Sequence, residues 1–229
     1  MRHRSILLAG ILLLFWHAEL RAADGERCPQ QPQVVVLVAD PAVRREICSA
    51  ADQAIAFLTK FALSPQRDIV LEITNQQIDS HGYSAFGSYD SRSDRIQLMS
   101  YAAIMALSAA PTMYGEPFDR VHYAGAIAHE TTHAVVQHNL AVKLIGTSAQ
   151  EYLAHATQLA VLPAQRRQAI IAELGVGAWE SGDLISDAYM AMEPGKFAVK
   201  SYLHLLSLKD PQPFIQILLN SKWFYVSVP

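Results

Sequence analysis

Apolar residues along this chain change period part-way. The unbroken run "VVVLV" (34–38) predicts a buried strand. Pro41 suits a first helical turn, and Ile47, Ala51, Ile55, Leu58 and Ala62 then recur at helical spacing over 42–63. "DIVLEIT" (68–74) predicts a second strand, and "NQQIDSHGY" reads as a loop. "SAFGSYD" and "DRIQLMS" are strand-like runs around "SRS", which predicts a hairpin or tight connection. A short helix is expected over 101–107, followed by the turn-rich loop "SAAPTMYGEPFD". Helical spacing resumes over about 119–139. It continues in "GTSAQEYLAHATQLAVLP", with Ser148 as a candidate N-cap and Pro163 at the far end. Three more helices are expected, near 164–174, 195–208 and 211–220. Strands come first and helices later, the order of an α+β fold. No repeat or linker divides the chain, so 23–229 reads as one domain.

The first residues follow a different pattern. "MRHR" is basic, "SILLAGILLLFW" is uncharged and apolar, and "AELRAAD" brings small residues and charge. This predicts a signal peptide over 1–22, cut near Ala22 or Ala23, and an exported protein, periplasmic or secreted. The apolar run is shorter than the roughly 20 residues a membrane span needs, so no stable membrane insertion is expected after cleavage. Export makes the two cysteines, Cys28 and Cys48, a candidate disulfide. The chain of 229 residues is 51% hydrophobic and 17% charged, with net charge -3, which suits a globular domain. No basic block interleaves with aromatics, which argues against nucleic acid as a partner.

The chemistry concentrates in "GAIAHETTHAVVQHNL" (125–140). One carboxylate and three imidazoles sit in an otherwise apolar or small-residue helix. Such groups need partners when buried. His129 and His133 are one turn apart on one face, the spacing at which two imidazoles hold one metal ion. Glu130 lies about 100° round the helix, beside that ion rather than on it. There it can take a proton from water whose pKa zinc lowers toward about 7. A metal and its water would give the buried polar groups their partners.

His129-Glu130-x-x-His133 resembles the zincin metallopeptidases. The metzincin pattern wants Gly and His where Val136 and Asn139 stand, and the Asp-ligand type wants Asp where "GTSA" has Ala149. The resemblance is to the gluzincins, which place a Glu ligand on a second helix, and "QEYLAH" supplies Glu151. It rests on His129, Glu130, His133 and Glu151, and on a chain order of strand, helix, strands and active-site helix. It implies a zincin-like fold: a small N-terminal mixed sheet with a backing helix, the active-site helix and a C-terminal helical lobe. It also implies Zn2+ as cofactor, and a sheet-edge strand, placed at "DRIQLMS", that pairs with an extended peptide or protein substrate. Related zincins use a Tyr or His from the C-terminal helical part as oxyanion donor. Tyr189, Tyr202 and His204 are available. Tyr202 is taken because it flanks the apolar stripe Val199, Leu203, Leu206, from which His204 points away.

Other polar residues keep open roles. His155 shares a face with Glu151 and either replaces it as ligand, braces a ligand or is partly exposed. His138 reads as surface or as a brace behind the ligands, and His122 as pocket rim or surface. Asp183 and Asp187 read as a solvated helix face, with orientation of a ligand imidazole as the alternative. "GxSxG" is absent, and no Ser-His-Asp arrangement is legible. The sequence thus points to an exported zinc metallopeptidase with Glu130 as base and then acid. The alternatives are a non-catalytic, metal-stabilised peptide-binding protein on the same fold, and a zinc amidase acting on cell-wall or other non-protein substrates.

Overall fold

The computed structural model describes residues 25–80, 83–143 and 145–220. The expected signal peptide lies outside them. β1 (Glu26–Arg27) leads to β2 (Val34–Leu37), the β-branched run, where residues alternate between buried and half-buried. α1 (Pro41–Thr59) starts as expected. The Asp40 carboxylate caps it by accepting from the Ala42 N–H, and Pro41 sits in its first turn. It ends before 63, and Ala62 adopts a left-handed φ of 58°.

Then follow β3 (Ile69–Thr74), β4 (Ile78–Ser80), β5 (Tyr83–Ala85), β6 (Gly87–Asp90) and β7 (Arg95–Met99). The segment read as a loop around Ile78 therefore holds strand, paired in the β4–β5 hairpin. After α2 (Tyr101–Met105) come two short strands, β8 (Thr112–Met113) and β9 (Glu116–Pro117). The helical part is α3 (Arg120–His138), α4 (Thr147–Val161), α5 (Ala164–Leu174), α6 (Asp187–Met192), α7 (Pro194–Ser207) and α8 (Gln212–Leu219). A single 3₁₀ turn, Gly182–Leu184, precedes α6.

The main sheet has the order β1-β2-β3-β7-β6. β2, β3 and β7 run parallel, while β1 and β6 are antiparallel to their neighbours. The sheet is mixed and the architecture α+β, as expected. One expectation is corrected. "DRIQLMS" is not the sheet edge, because β7 bonds to β3 on one side and β6 on the other. The turn after Asp90 folds β6 back along β7, so β6 becomes the outer strand.

α3 packs against both α1 and α4, which also touch each other, and reaches β6 and β7. Ile127, Val135, Leu153, Ile96 and Leu98 are fully buried between these layers. Each such side chain contributes roughly 1.5–3 kcal/mol by leaving water. α7 covers the outer face of α4. Cys28 and Cys48 form a disulfide that ties the start of the chain to α1. Among the described residues, no helix is long and apolar enough to cross a membrane.

Candidate metal centre

The two helices that carry the candidate ligands are held at their ends by carboxylates. Asp119 caps α3, accepting from the N–H groups of Val121 and His122, each at 3.0 Å. Thr131 and Thr132 are buried, and their hydroxyls turn back onto the carbonyls of Ile127 and Ala128. α4 starts at Gly146, which has no capping side chain, rather than at Ser148. Its cap comes from α6, where Asp187 accepts from the Ser148 N–H at 2.7 Å. Asp187 is exposed on α6, as expected, and its carboxylate fixes the end of the helix that presents Glu151 rather than bracing an imidazole. The Asp183 side chain lies outside the described residues.

His129, His133 and Glu151 converge between α3 and α4. The Nε2 atoms of His129 and His133 are 3.1 Å apart. One Glu151 oxygen lies 3.2 Å from His129 Nε2, and the other lies 3.4 Å from His133 Nε2. Ligands on a tetrahedral ion with bonds of about 2.0–2.1 Å are separated by about 3.3 Å. The donor set and its spacing therefore fit one metal ion. A further contact fits the same reading. His129 Nδ1 lies 3.0 Å from Gln158 Oε1, an acceptor, so the ring proton belongs on Nδ1 and the Nε2 lone pair faces the cluster.

Burial disfavours a charged His129, but the Glu151 carboxylate outweighs it and lifts the imidazole to about 9. Burial takes His133 down to about 4, with Glu151 opposing and the charge on His129 assisting. Glu151 is resisted by burial yet held far below the usual carboxylate range by the two imidazoles, His133 first. Glu130 is pushed up to about 7, chiefly by burial, with His129 pulling down and Glu151 pushing up.

Glu130 sits beside the cluster, not within it. A cleft of about 490 Å³ is lined by Gly87, Ser88 and Tyr89 from β6 and by His129, Glu130 and Glu151. A smaller cavity of about 170 Å³ also borders His129 and Glu130, with Met113, His155 and Gln158 as further walls. His155 stands close behind the ligands, its ring 4.8 Å from that of His129 and its Nε2 3.6 Å from Glu151. The three-donor group closes through Glu151 and does not include His155.

Tyr202 is not brought to this cleft. It is buried, with its ring under the Arg167 guanidinium at 5.4 Å, and Arg167 donates to carbonyls at the end of α4. The stripe used to orient α7 matches its buried face only in part: Val199 is fully buried and Leu203 packs on the core, but Leu206 is 53% exposed, while Phe197, Ser201 and Leu205 are buried as well. Ser201 can be buried because Trp179 Nε1–H donates to its hydroxyl. His204 pairs with the Tyr152 hydroxyl at 2.7 Å, and the Tyr189 ring packs on Trp179. His122 and His138 are not surface residues either. His122 lies among Glu116, Arg166 and Phe118, and His138 lies 3.0 Å from Asp94 while its Nδ1 accepts from the Gln66 N–H.

Three residues at this site went unread in the sequence: Gln158, Gly87 and Tyr114. Gln158 falls seven positions after Glu151, two turns along α4, and that spacing was the available signal.

A family model matches residues 34–228. The chain belongs to a family of unknown function, DUF6639. The match takes in the whole sheet from β2 onward and both site helices. No curated protein and no solved structure matches the chain.

Proposed function

We propose that this DUF6639 protein is an exported, zinc-dependent hydrolase of peptide bonds, with a zincin-like site of the gluzincin type. One observation carries the reading: His129, His133 and Glu151 converge at ligand spacing while Glu130, buried and non-ligating, flanks them at the floor of an open cleft. His129, His133 and Glu151 would hold the ion. When bound, zinc supplies Lewis acidity and makes water a nucleophile near neutral pH.

The chain's own groups do the rest. Glu130, lifted toward neutrality by burial, takes a proton from the attacking water at its carboxylate and returns it to the leaving nitrogen. Gln158 holds the His129 tautomer. β6, bonded to β7 along one side only among the described residues, offers its other side to an extended peptide. Gly87, Ser88 and Tyr89 on that strand already line the cleft. The Cys28–Cys48 disulfide favours an oxidising compartment and so supports export. A purely binding role has no use for Glu130, which favours catalysis over the metal-stabilised binder.

A peptide-library digest by purified protein tests this. Cleavage should stop with chelator, return with added zinc and be absent in Glu130→Gln with its metal retained. Cleavage that persists in chelator, or survives unchanged in Glu130→Gln, contradicts it.

A further inference from the structure

Asp94 is the point at which the outer strand, the active-site helix and the segment before β3 meet. Its backbone is left-handed, with φ 51°, in the turn between β6 and β7. Asp and Asn tolerate that conformation. Its carbonyl accepts from the Val70 N–H of β3. Its carboxylate accepts from three side chains among the described residues. Tyr89 Oη donates to Oδ1 at 2.5 Å, His138 Nε2 lies 3.0 Å from the same oxygen, and Arg67 pairs with both oxygens.

The direction of these bonds is fixed by chemistry. The Gln66 N–H lies 3.2 Å from His138 Nδ1. A backbone N–H can only donate, so the ring proton sits on Nε2 and goes to Asp94. Burial holds His138 below the usual imidazole range, which keeps the ring neutral. Burial resists a charge on Asp94 too, but Arg67, Tyr89 and His138 hold its carboxyl below the ordinary range. Burial first, and Asp94 next, push Tyr89 far above the usual phenol range, so its proton stays on Oη. Asp94 is therefore the common acceptor of the group.

Two of its donors bear on the cleft. Tyr89 lines it from β6, and Gly87, on the same face of that strand, lies against Glu130. His138 ends α3, the helix that carries His129, Glu130 and His133. β6 is thus fastened to α3 at two places: the approach of Gly87 to Glu130, and the bridge from Tyr89 through Asp94 to His138. Glu130 and His138 are eight residues apart, about 12 Å along the helix. Two fastenings that far apart fix the angle of the strand as well as its distance.

We infer that Asp94 is a positioning residue: by accepting from Tyr89 and His138 together, it holds the outer wall of the cleft against the active-site helix and so sets how an extended peptide lies along β6. It acts through Tyr89 and is no ligand of the ion. The effect on peptide rests on the hydrolase reading, whereas the fastening of the strand does not.

The test uses the full-length mature protein, loaded with zinc, and fluorescein-labelled casein as probe. Asp94→Asn keeps the left-handed turn and the side-chain shape but sets an NH2 among donors. It should raise KM roughly tenfold, with kcat and zinc content within about twofold of wild type, and should speed amide hydrogen exchange over 87–90. Tyr89→Phe should do the same to a smaller degree, and it carries the test if Asp94→Asn does not fold. The double variant should be no worse than Asp94→Asn alone, because both break one link. Arg92→Ala removes only an exposed ion pair in the same turn and should change none of these. An unchanged KM overturns the inference, and so does a fall in kcat or zinc content in its place. Effects of Asp94→Asn and Tyr89→Phe that simply add overturn it as well. If the wild type cuts nothing, the hydrolase reading falls and exchange alone decides. Acceleration confined to 87–90 then keeps the positioning role, and unchanged exchange overturns it.

Discussion

A methyl group at Gly87 would lie 2.6 Å from Cγ of Glu130 and 2.9 Å from the Leu98 side chain. The outer strand thus approaches the proposed base so closely that only hydrogen fits between them. Gly87→Ala should displace the carboxylate rather than the metal. Turnover is expected to fall roughly 10–100-fold, since misplacement by about 1 Å costs that much, with zinc content unchanged. Loss of zinc in this variant would show that β6 supports the ligands instead.

Gln158→Leu removes the acceptor that holds the His129 Nδ1 proton. Partners of this kind are worth roughly 10–100-fold in metal affinity. Competition against a fluorescent zinc chelator should show that loss, with the melting temperature of the metal-free protein little changed. Wild-type affinity would mean that the ring is oriented by packing alone.

Zinc uptake should release protons. In the metal-free protein His129 is lifted to about 9, so below that pH its imidazole is protonated and must lose that proton to become a ligand. Affinity should fall as pH drops below about 9, close to tenfold per unit. Calorimetry in buffers of different ionisation enthalpy near pH 7.5 should count about one proton released per zinc. A count of zero would mean that the cluster carries no exchangeable proton.

The Cys28–Cys48 bridge spans a sequence separation of 20. A loop of that size stabilises by about 3 kcal/mol in the chain-entropy model. Replacing both cysteines by serine should lower the melting temperature by roughly 6–12 °C. A variant melting within a degree of wild type would place the bridge in a region that unfolds separately.

Much of the frame was legible because its signals are local. The strands around Val34 and Ile69 and the helix holding His129 follow from periodicity, and Asp40 and Asp119 cap the helices that follow them. What escaped depends on long-range contacts. Nothing local says that Asp187 caps the helix of Glu151, or that β6 rather than β7 is the outer strand. Tyr202 was placed by an apolar stripe. The buried face of that helix also takes in Ser201, satisfied by Trp179 from a distant segment, and leaves Leu206 of the stripe exposed. The Tyr114 turn looked like an ordinary loop because a tyrosine at a left-handed position carries no composition signal.

The central claim is one zinc held by His129, His133 and Glu151. Elemental analysis of the mature protein, purified without chelators, tests it most directly. The account predicts about one zinc per chain, strong loss in His129→Ala, His133→Ala and Glu151→Ala, and retention in His155→Ala. A protein that carries no transition metal and takes none up when zinc is added would contradict it, and retention in Glu151→Ala beside loss in His155→Ala would contradict the choice of third ligand.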